Sequence, residues 1–169
     1  MELGLMFTLA IIGFGLMLIA KGVTVVQQSQ TVVIERFGKY ERTLTSGFNL
    51  IIPFIDQARP AYWVQNGEIW PTTHIDLRET VLDVPEQAVI TKDNVSINID
   101  ALMYIQIMDP VKSTYEIANL PMAVAQLAQT SLRNVIGEMD LDETLASRDV
   151  INAKLKDILD EATDKWGTK

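Results

Sequence analysis

The residue types that carry most enzyme chemistry are nearly missing from this chain. His74 is the only histidine and there is no cysteine. A Ser-His-Asp relay would have to run through His74, and thiol nucleophiles, disulfides and thiolate metal sites are excluded. No Gly-x-Ser-x-Gly elbow is present, and Ser46 and Ser131 lie in turn and helix contexts that nominate neither as a nucleophile. Zinc would need carboxylates beside a single imidazole, an unusual donor set. The nine glycines are scattered rather than gathered ahead of a helix, so no phosphate-cradling loop is expected. Among the 22 acidic residues, the pairs Asp140/Asp142 and Asp160/Glu161 are explained by a helix start and a solvated helix face. A glycosidase pair would depend on a spatial separation that sequence does not report. The reading is therefore a protein without catalytic, cofactor-binding or metal-ligating residues. A net charge of −8, with no long basic run, also argues against nucleic acid.

Apolar residues stand out instead. Phe48, Asn49, Leu50, Ile51, Ile52, Pro53, Phe54 and Ile55 form a nearly continuous apolar stretch broken by Pro53. Proline argues against a central strand or a helix interior. Two readings stand: a buried loop or edge strand in a core, or an apolar loop pressed against a bilayer. Farther on, Tyr62, Trp63 and Trp70 surround Asn66-Gly67, a hairpin signal. Their rings suit a membrane interface, and equally the cap of a core. The candidate membrane-contact residues are Phe48, Leu50, Ile51, Ile52, Pro53, Phe54, Trp63 and Trp70.

A bilayer is expected nearby because of how the chain begins. Leu3 to Ala20 is 18 residues without a charge. As a helix it would rise about 27 Å, close to a hydrocarbon core of roughly 30 Å. A cleaved signal peptide would need a basic n-region and an A-x-A-like exit; here Glu2 precedes the run and Ile19-Ala20-Lys21-Gly22 follows it. The expectation is a permanent single-pass anchor over residues 1–21. No basic residue precedes it, whereas Lys21, Arg36, Lys39 and Arg42 follow, which places the body on the cytoplasmic side.

The elements that would position the apolar loop read as α+β. Val23 to Phe37 is rich in β-branched residues and reads as a strand, Gly38-Lys39 as a turn, Tyr40 to Leu44 as a second strand. Thr80 to Val84 ends at Pro85, and Gln87 to Thr91 resumes. From Val95 to Ile107 apolar and mostly polar positions alternate for thirteen residues, a strand with one face on a core. Helices follow. One starts near Pro121 with Asn119 before it and ends near Gly137; Asp140 with Glu143 resembles a capping box. Ser147 is placed to cap a last helix with Ile151, Leu155, Ile158, Leu159, Ala162 and Trp166 on one side, which Gly167 can end.

Several strings, taken in order, resemble the stomatin/prohibitin/flotillin/HflK-HflC (SPFH or band-7) family. They are Glu35-Arg36-Phe37-Gly38-Lys39-Tyr40, Ser46-Gly47-Phe48 running into Ile51-Ile52-Pro53-Phe54-Ile55-Asp56, Asp83-Val84-Pro85-Glu86-Gln87, Ile90 to Val95, Asp109-Pro110, Leu127 to Arg133, Ile136 to Met139 and Asp160 to Gly167. The resemblance covers about 140 residues and is greatest to the prokaryotic stomatin-like (paraslipin) branch. It implies a mixed SPFH domain over residues 22–169, homo-oligomeric rings or cages at the cell (inner) membrane, organisation of membrane patches, and association with a membrane protease of the AAA or NfeD type. Two departures are noted. Ala61 to Thr73 looks like an insertion, serving a local membrane contact or a contact between subunits. The family's downstream oligomerisation region is not in this chain. The resulting expectation is a non-catalytic scaffold, without cofactors, on a lipid bilayer. Its rivals are a regulatory subunit gating a membrane protease or channel, and a tethered hydrolase whose activity would depend on His74.

Overall fold

The computed structural model describes residues 21–65 and 68–169, with residues 6, 13 and 15 besides. Apart from those three, the span expected over Leu3 to Ala20 lies outside the described residues, as does the Asn66-Gly67 turn. No helix among the described residues is long and apolar enough to cross a membrane. The fold is mixed α+β, with antiparallel strand pairs followed by helices. It gathers into two compact units, Met1–Pro60 with Thr73–Asp76, and Ala61–Thr72 with Leu77–Lys169.

In the first unit the expected strand from Val23 to Phe37 is split. β1 covers Val23–Val26 and β2 covers Gln30–Arg36. Ser29 takes a positive φ of 64°, and the Gln30 amide donates to the Gln27 carbonyl across 3.2 Å, which makes a turn out of three polar residues. β2 is central. It pairs antiparallel with β3 (Lys39–Leu44) on one edge, and with β5 (Asp56–Ala58) and β8 (Ile75–Asp76) on the other. Thr31, Val32, Val33 and Ile34 are consequently all buried, and Thr31 Oγ1 donates to the Leu44 carbonyl at 2.8 Å. Val26, Val32, Ile34 and Leu44 form the core of this unit. β1 pairs separately with β4 (Gly47–Leu50) as an antiparallel ribbon.

The second unit holds the hairpin β6 (Ala61–Gln65) and β7 (Glu68–Thr72), then β9 (Thr80–Ile90) and β10 (Ser96–Ile105), which pair antiparallel along their length. β9 does not stop at Pro85. Ile99 pairs with Gln87 and Ala101 with Val84, so Pro85 and Glu86 oppose Asp100 alone in a β-bulge, a place in a paired strand where a missing N–H costs little. The expected alternation holds in β10: Ile97, Ile99, Ala101, Met103 and Ile105 are shielded while Ser96, Asn98, Asp100, Leu102 and Tyr104 are exposed. The shielded face meets α2 (Leu120–Gly137), which with α4 (Arg148–Thr163) closes a core of Val89, Leu132, Val135, Ile136, Met139 and Ile151. Gln87 ties strand to helix: its amide donates to the Gln129 carbonyl, and its oxygen accepts from Arg133, each at 2.9 Å.

Helix ends follow the local chemistry with two exceptions. Asp109 caps α1 (Pro110–Tyr115) by accepting from the Val111 and Lys112 amides, and Asn119 caps α2 through the Met122 amide. Asp140 makes no side-chain cap at α3 (Leu141–Ala146). The Leu141 amide instead donates to the Asp93 carboxylate, 3.3 Å away in the β9–β10 turn. The Thr91 hydroxyl donates to the same carboxylate; that bond first, and the Leu141 amide after it, hold Asp93 below the usual carboxylate range against the opposing effect of burial. Ser147 likewise occupies a cap position without a side-chain bond. After α4 a short 3-10 turn (Asp164–Trp166) ends at Gly167, in the left-handed region as its position suggests. Thr168 then bridges to Ile107, and Lys169 exchanges backbone bonds with Gln106 at 2.8 and 2.9 Å.

Candidate functional site

The β1–β4 ribbon follows directly on the N-terminal apolar run. Its register sets Val23 opposite Leu50 and Val25 opposite Phe48. Residues directly opposite in an antiparallel pair share a face. All four are exposed, Phe48 at 84% and Leu50 at 69%. The alternate positions behave differently: Val26 is buried in the core of the unit, and Thr24 and Asn49 are partly covered. One side of this ribbon is therefore an open apolar surface, of a kind that soluble monomers seldom expose as a contiguous patch.

The loop after β4 is built to continue that surface. The Ile51 amide donates to the Gly22 carbonyl at 2.7 Å, which pins the loop to the start of the ribbon. Ile51 packs partly buried against the Val26, Val32, Ile34 and Leu44 core, and Pro53 is half-buried. Ile52 and Phe54 are exposed, Phe54 at 72%. Phe54 sits at φ 72°, a conformation that L side chains rarely adopt. The Lys21 ammonium lies 6.0 Å from the centre of its ring, at the outer limit of a cation–π contact.

A charged brace holds this loop. Asp56 accepts from Arg36 Nε at 2.8 Å and Nη2 at 3.3 Å, and its Oδ2 also accepts the Ile52 amide at 2.8 Å. Arg36 in turn donates to Glu41 at 2.9 Å. Arg42 donates to the Leu50 carbonyl, tying β3 to the end of β4. The Asp56 carboxyl is fully covered. Its bond from Arg36, and next its bond from the Ile52 amide, hold it below the usual carboxylate range, while burial opposes them. The Glu35-to-Tyr40 and Ile51-to-Asp56 strings are thus two halves of one structure.

The sign of the Asp56 shift sets a pH dependence. A depressed folded pKa stabilises above the unfolded value, roughly 3.9, and that contribution is lost as pH falls through the folded value. Asp56→Asn should lower the melting temperature by several degrees near pH 7. The gap to the unsubstituted chain should narrow below about pH 4. Calorimetry across that range checks both points; a gap that stays constant down to pH 3 would remove the Asp56 charge from the account.

The aromatic candidates of the second unit divide. Trp63 is buried, 9% exposed, while Trp70 directly opposite is 53% exposed. β6 and α2 pack together, so the Ala61 to Thr73 segment is anchored through Trp63's strand, while Tyr62, Ile69 and Trp70 stay exposed. His74 is exposed, with Nδ1 3.2 Å from Thr73 Oγ1. The described residues contain no group of three or more metal-capable side chains.

Of the contact residues expected from sequence, the structure brings Phe48, Leu50, Ile52 and Phe54 to exposed positions of one unit, and turns Ile51 inward. Val23 and Val25 had not been singled out, although the period-two pattern of Val23-Thr24-Val25-Val26 carries the signal. Arg36 and Asp56 were missed in their positioning roles because a charge brace formed over twenty residues leaves no local pattern.

Comparison with known proteins completes the assignment. The model of the SPFH domain / Band 7 family matches residues 24–169. A stomatin homolog of Pyrococcus abyssi is 40% identical over 162 residues, 96% of this chain and 55% of that protein. Human mitochondrial stomatin-like protein 2 is 38% identical over 144 residues, 85% of this chain and 37% of that one. An uncharacterized Mycobacterium tuberculosis protein is 43% identical over 166 residues, covering 98% of this chain and 40% of its own length. The chain spans about half the length, or less, of these relatives. With the family model matching nearly all of the described body, this chain belongs to the SPFH domain / Band 7 family.

Proposed function

We propose that this chain is the membrane-anchored part of a non-catalytic scaffold. Residues 1–21 span the cell (inner) membrane once, and residues 22–169 form an SPFH body on the cytoplasmic side whose β1–β4 ribbon and 51–55 loop lie on the facing leaflet. The observation that carries the reading is the open apolar face of Val23, Val25, Phe48 and Leu50, which begins three residues after the uncharged run ends. An exposed apolar strip that close to a span is within reach of lipid without any hinge, and burying it there stabilises the flat arrangement. Many bodies held in one plane meet at high effective concentration, so weak lateral contacts add up. Ring or cage assembly, the organisation of membrane patches, and a membrane protease as client belong to this same proposal and rest on family membership.

Alkaline carbonate extraction followed by intact-mass measurement tests the anchor. The expected result is a pelleted chain that keeps its first twenty residues. A soluble monomer lacking them overturns the reading. Gentle detergent extraction tests the assembly, with a pure homo-oligomer expected and a stoichiometric foreign partner pointing to a regulatory subunit instead.

A further inference from the structure

Phe37 carries a second observation. It is the first central residue of the β2–β3 turn, at φ 53°, and Gly38 follows at φ 78°. With Arg36 pairing Lys39 across the turn, this is type I′ geometry, which selects Asn, Asp or Gly at the first position and strains a bulky side chain. The ring is 85% exposed, so core packing does not offset the strain. The register shows where the tip lies. Arg36 pairs with Asp56, which sets the turn beside Ile55 and Phe54 at the same end of the sheet. Phe54 is the other exposed phenylalanine at positive φ, and Lys21 beside its ring closes the uncharged run. Lys39, the residue after Gly38, is exposed.

We infer that Phe37 is a second prong of the membrane contact: the β2–β3 tip inserts its ring at the headgroup–acyl boundary beside Phe54, with Lys39 left among the headgroups. The occupant is a lipid bilayer, because the tip shares its end of the unit with the point where the apolar run ends, and an aromatic ring flanked by a cation suits that boundary. A strained side chain with no packing role is retained at a contact. The inference rests on the lipid-facing reading of the ribbon, and the test separates the two.

The chain has no cysteine, so Phe37→Cys, Phe48→Cys and Lys154→Cys each accept one environment-sensitive fluorophore. Each full chain is reconstituted into phosphatidylcholine–phosphatidylglycerol vesicles with and without nitroxide-labelled acyl chains. Positions 37 and 48 should blue-shift and lose about half their emission to the nitroxides, while 154, exposed on α4, should not change. Quenching at 48 without 37 overturns the prong and leaves the ribbon; quenching at neither overturns both. A blue shift at 37 without lipid quenching assigns the tip to a protein partner and overturns the prong. Phe37→Asn supplies a second readout, since relief of the strained turn should raise the melting temperature. A lowered value would make Phe37 a packing residue and overturn the inference.

Discussion

Replacing Gly167 by alanine should destabilise the chain by about 2–5 kcal/mol, the largest effect expected of any single methyl group here. Gly167 stands at φ 69°, where a side chain costs on the order of 1–2 kcal/mol. A Cβ there would fall 2.7 Å from Asp109 Cβ, 2.8 Å from the Asp109 carbonyl oxygen and 2.9 Å from Lys112 Cβ. One carbonyl oxygen and two Cβ atoms fixed to the backbone leave no flexible end to yield. The Gly167 carbonyl also accepts both the Met108 amide at 2.9 Å and the Asp109 amide at 2.8 Å, so any shift loosens the closure of the C-terminal residues and the cap of α1. Thermal unfolding checks this, with a drop of roughly ten degrees expected. Gly137→Ala is the control. Its Cβ would meet only the Ile90 carbonyl at 3.7 Å, within ordinary contact, at a helical position where alanine is favoured. A Gly167→Ala chain as stable as the control would show that the tight approach carries no weight.

The double substitution Phe48→Asp and Leu50→Asp should weaken vesicle binding of the chain from Gly22 onward by about a hundredfold or more. Each buried apolar side chain contributes about 1.5–3 kcal/mol, so losing two removes at least about 3 kcal/mol, and every 1.4 is a factor of ten. Stability should hardly move, because both side chains are already in the open. Ile51→Asp predicts the reverse: it places a charge against the Val26, Val32, Ile34 and Leu44 core and lowers the melting temperature. Flotation with liposomes and thermal unfolding together separate these outcomes. Equal flotation of the doubly substituted chain would leave the ribbon face without a lipid role.

Much of the architecture was legible because it rests on period and punctuation. The alternation from Val95 onward gave β10 its two faces, and Asn119, Gly137 and Gly167 marked helix ends through chemistry that acts over three or four residues. What sequence missed was set at longer range. Nothing local distinguishes a Pro85 that ends a strand from one held in a bulge, since the answer lies in the single residue Asp100 on the partner. Asp140 looked like a cap, but Asp93, forty-eight positions from Leu141, supplies the acceptor. The split at Gln27 to Ser29 was hidden by β-branched residues on both sides. For the site, composition located the apolar loop. Which of its side chains face outward followed only from the Val25–Phe48 register and from the Arg36–Asp56 brace.

A depth profile along β4 tests the central claim most directly. Single-cysteine probes at positions 48, 49 and 50 of the full chain, read in vesicles with nitroxide-labelled acyl chains, should alternate: quenched at 48 and 50, unquenched at 49. If all three report the same aqueous surroundings, the ribbon does not lie on the membrane.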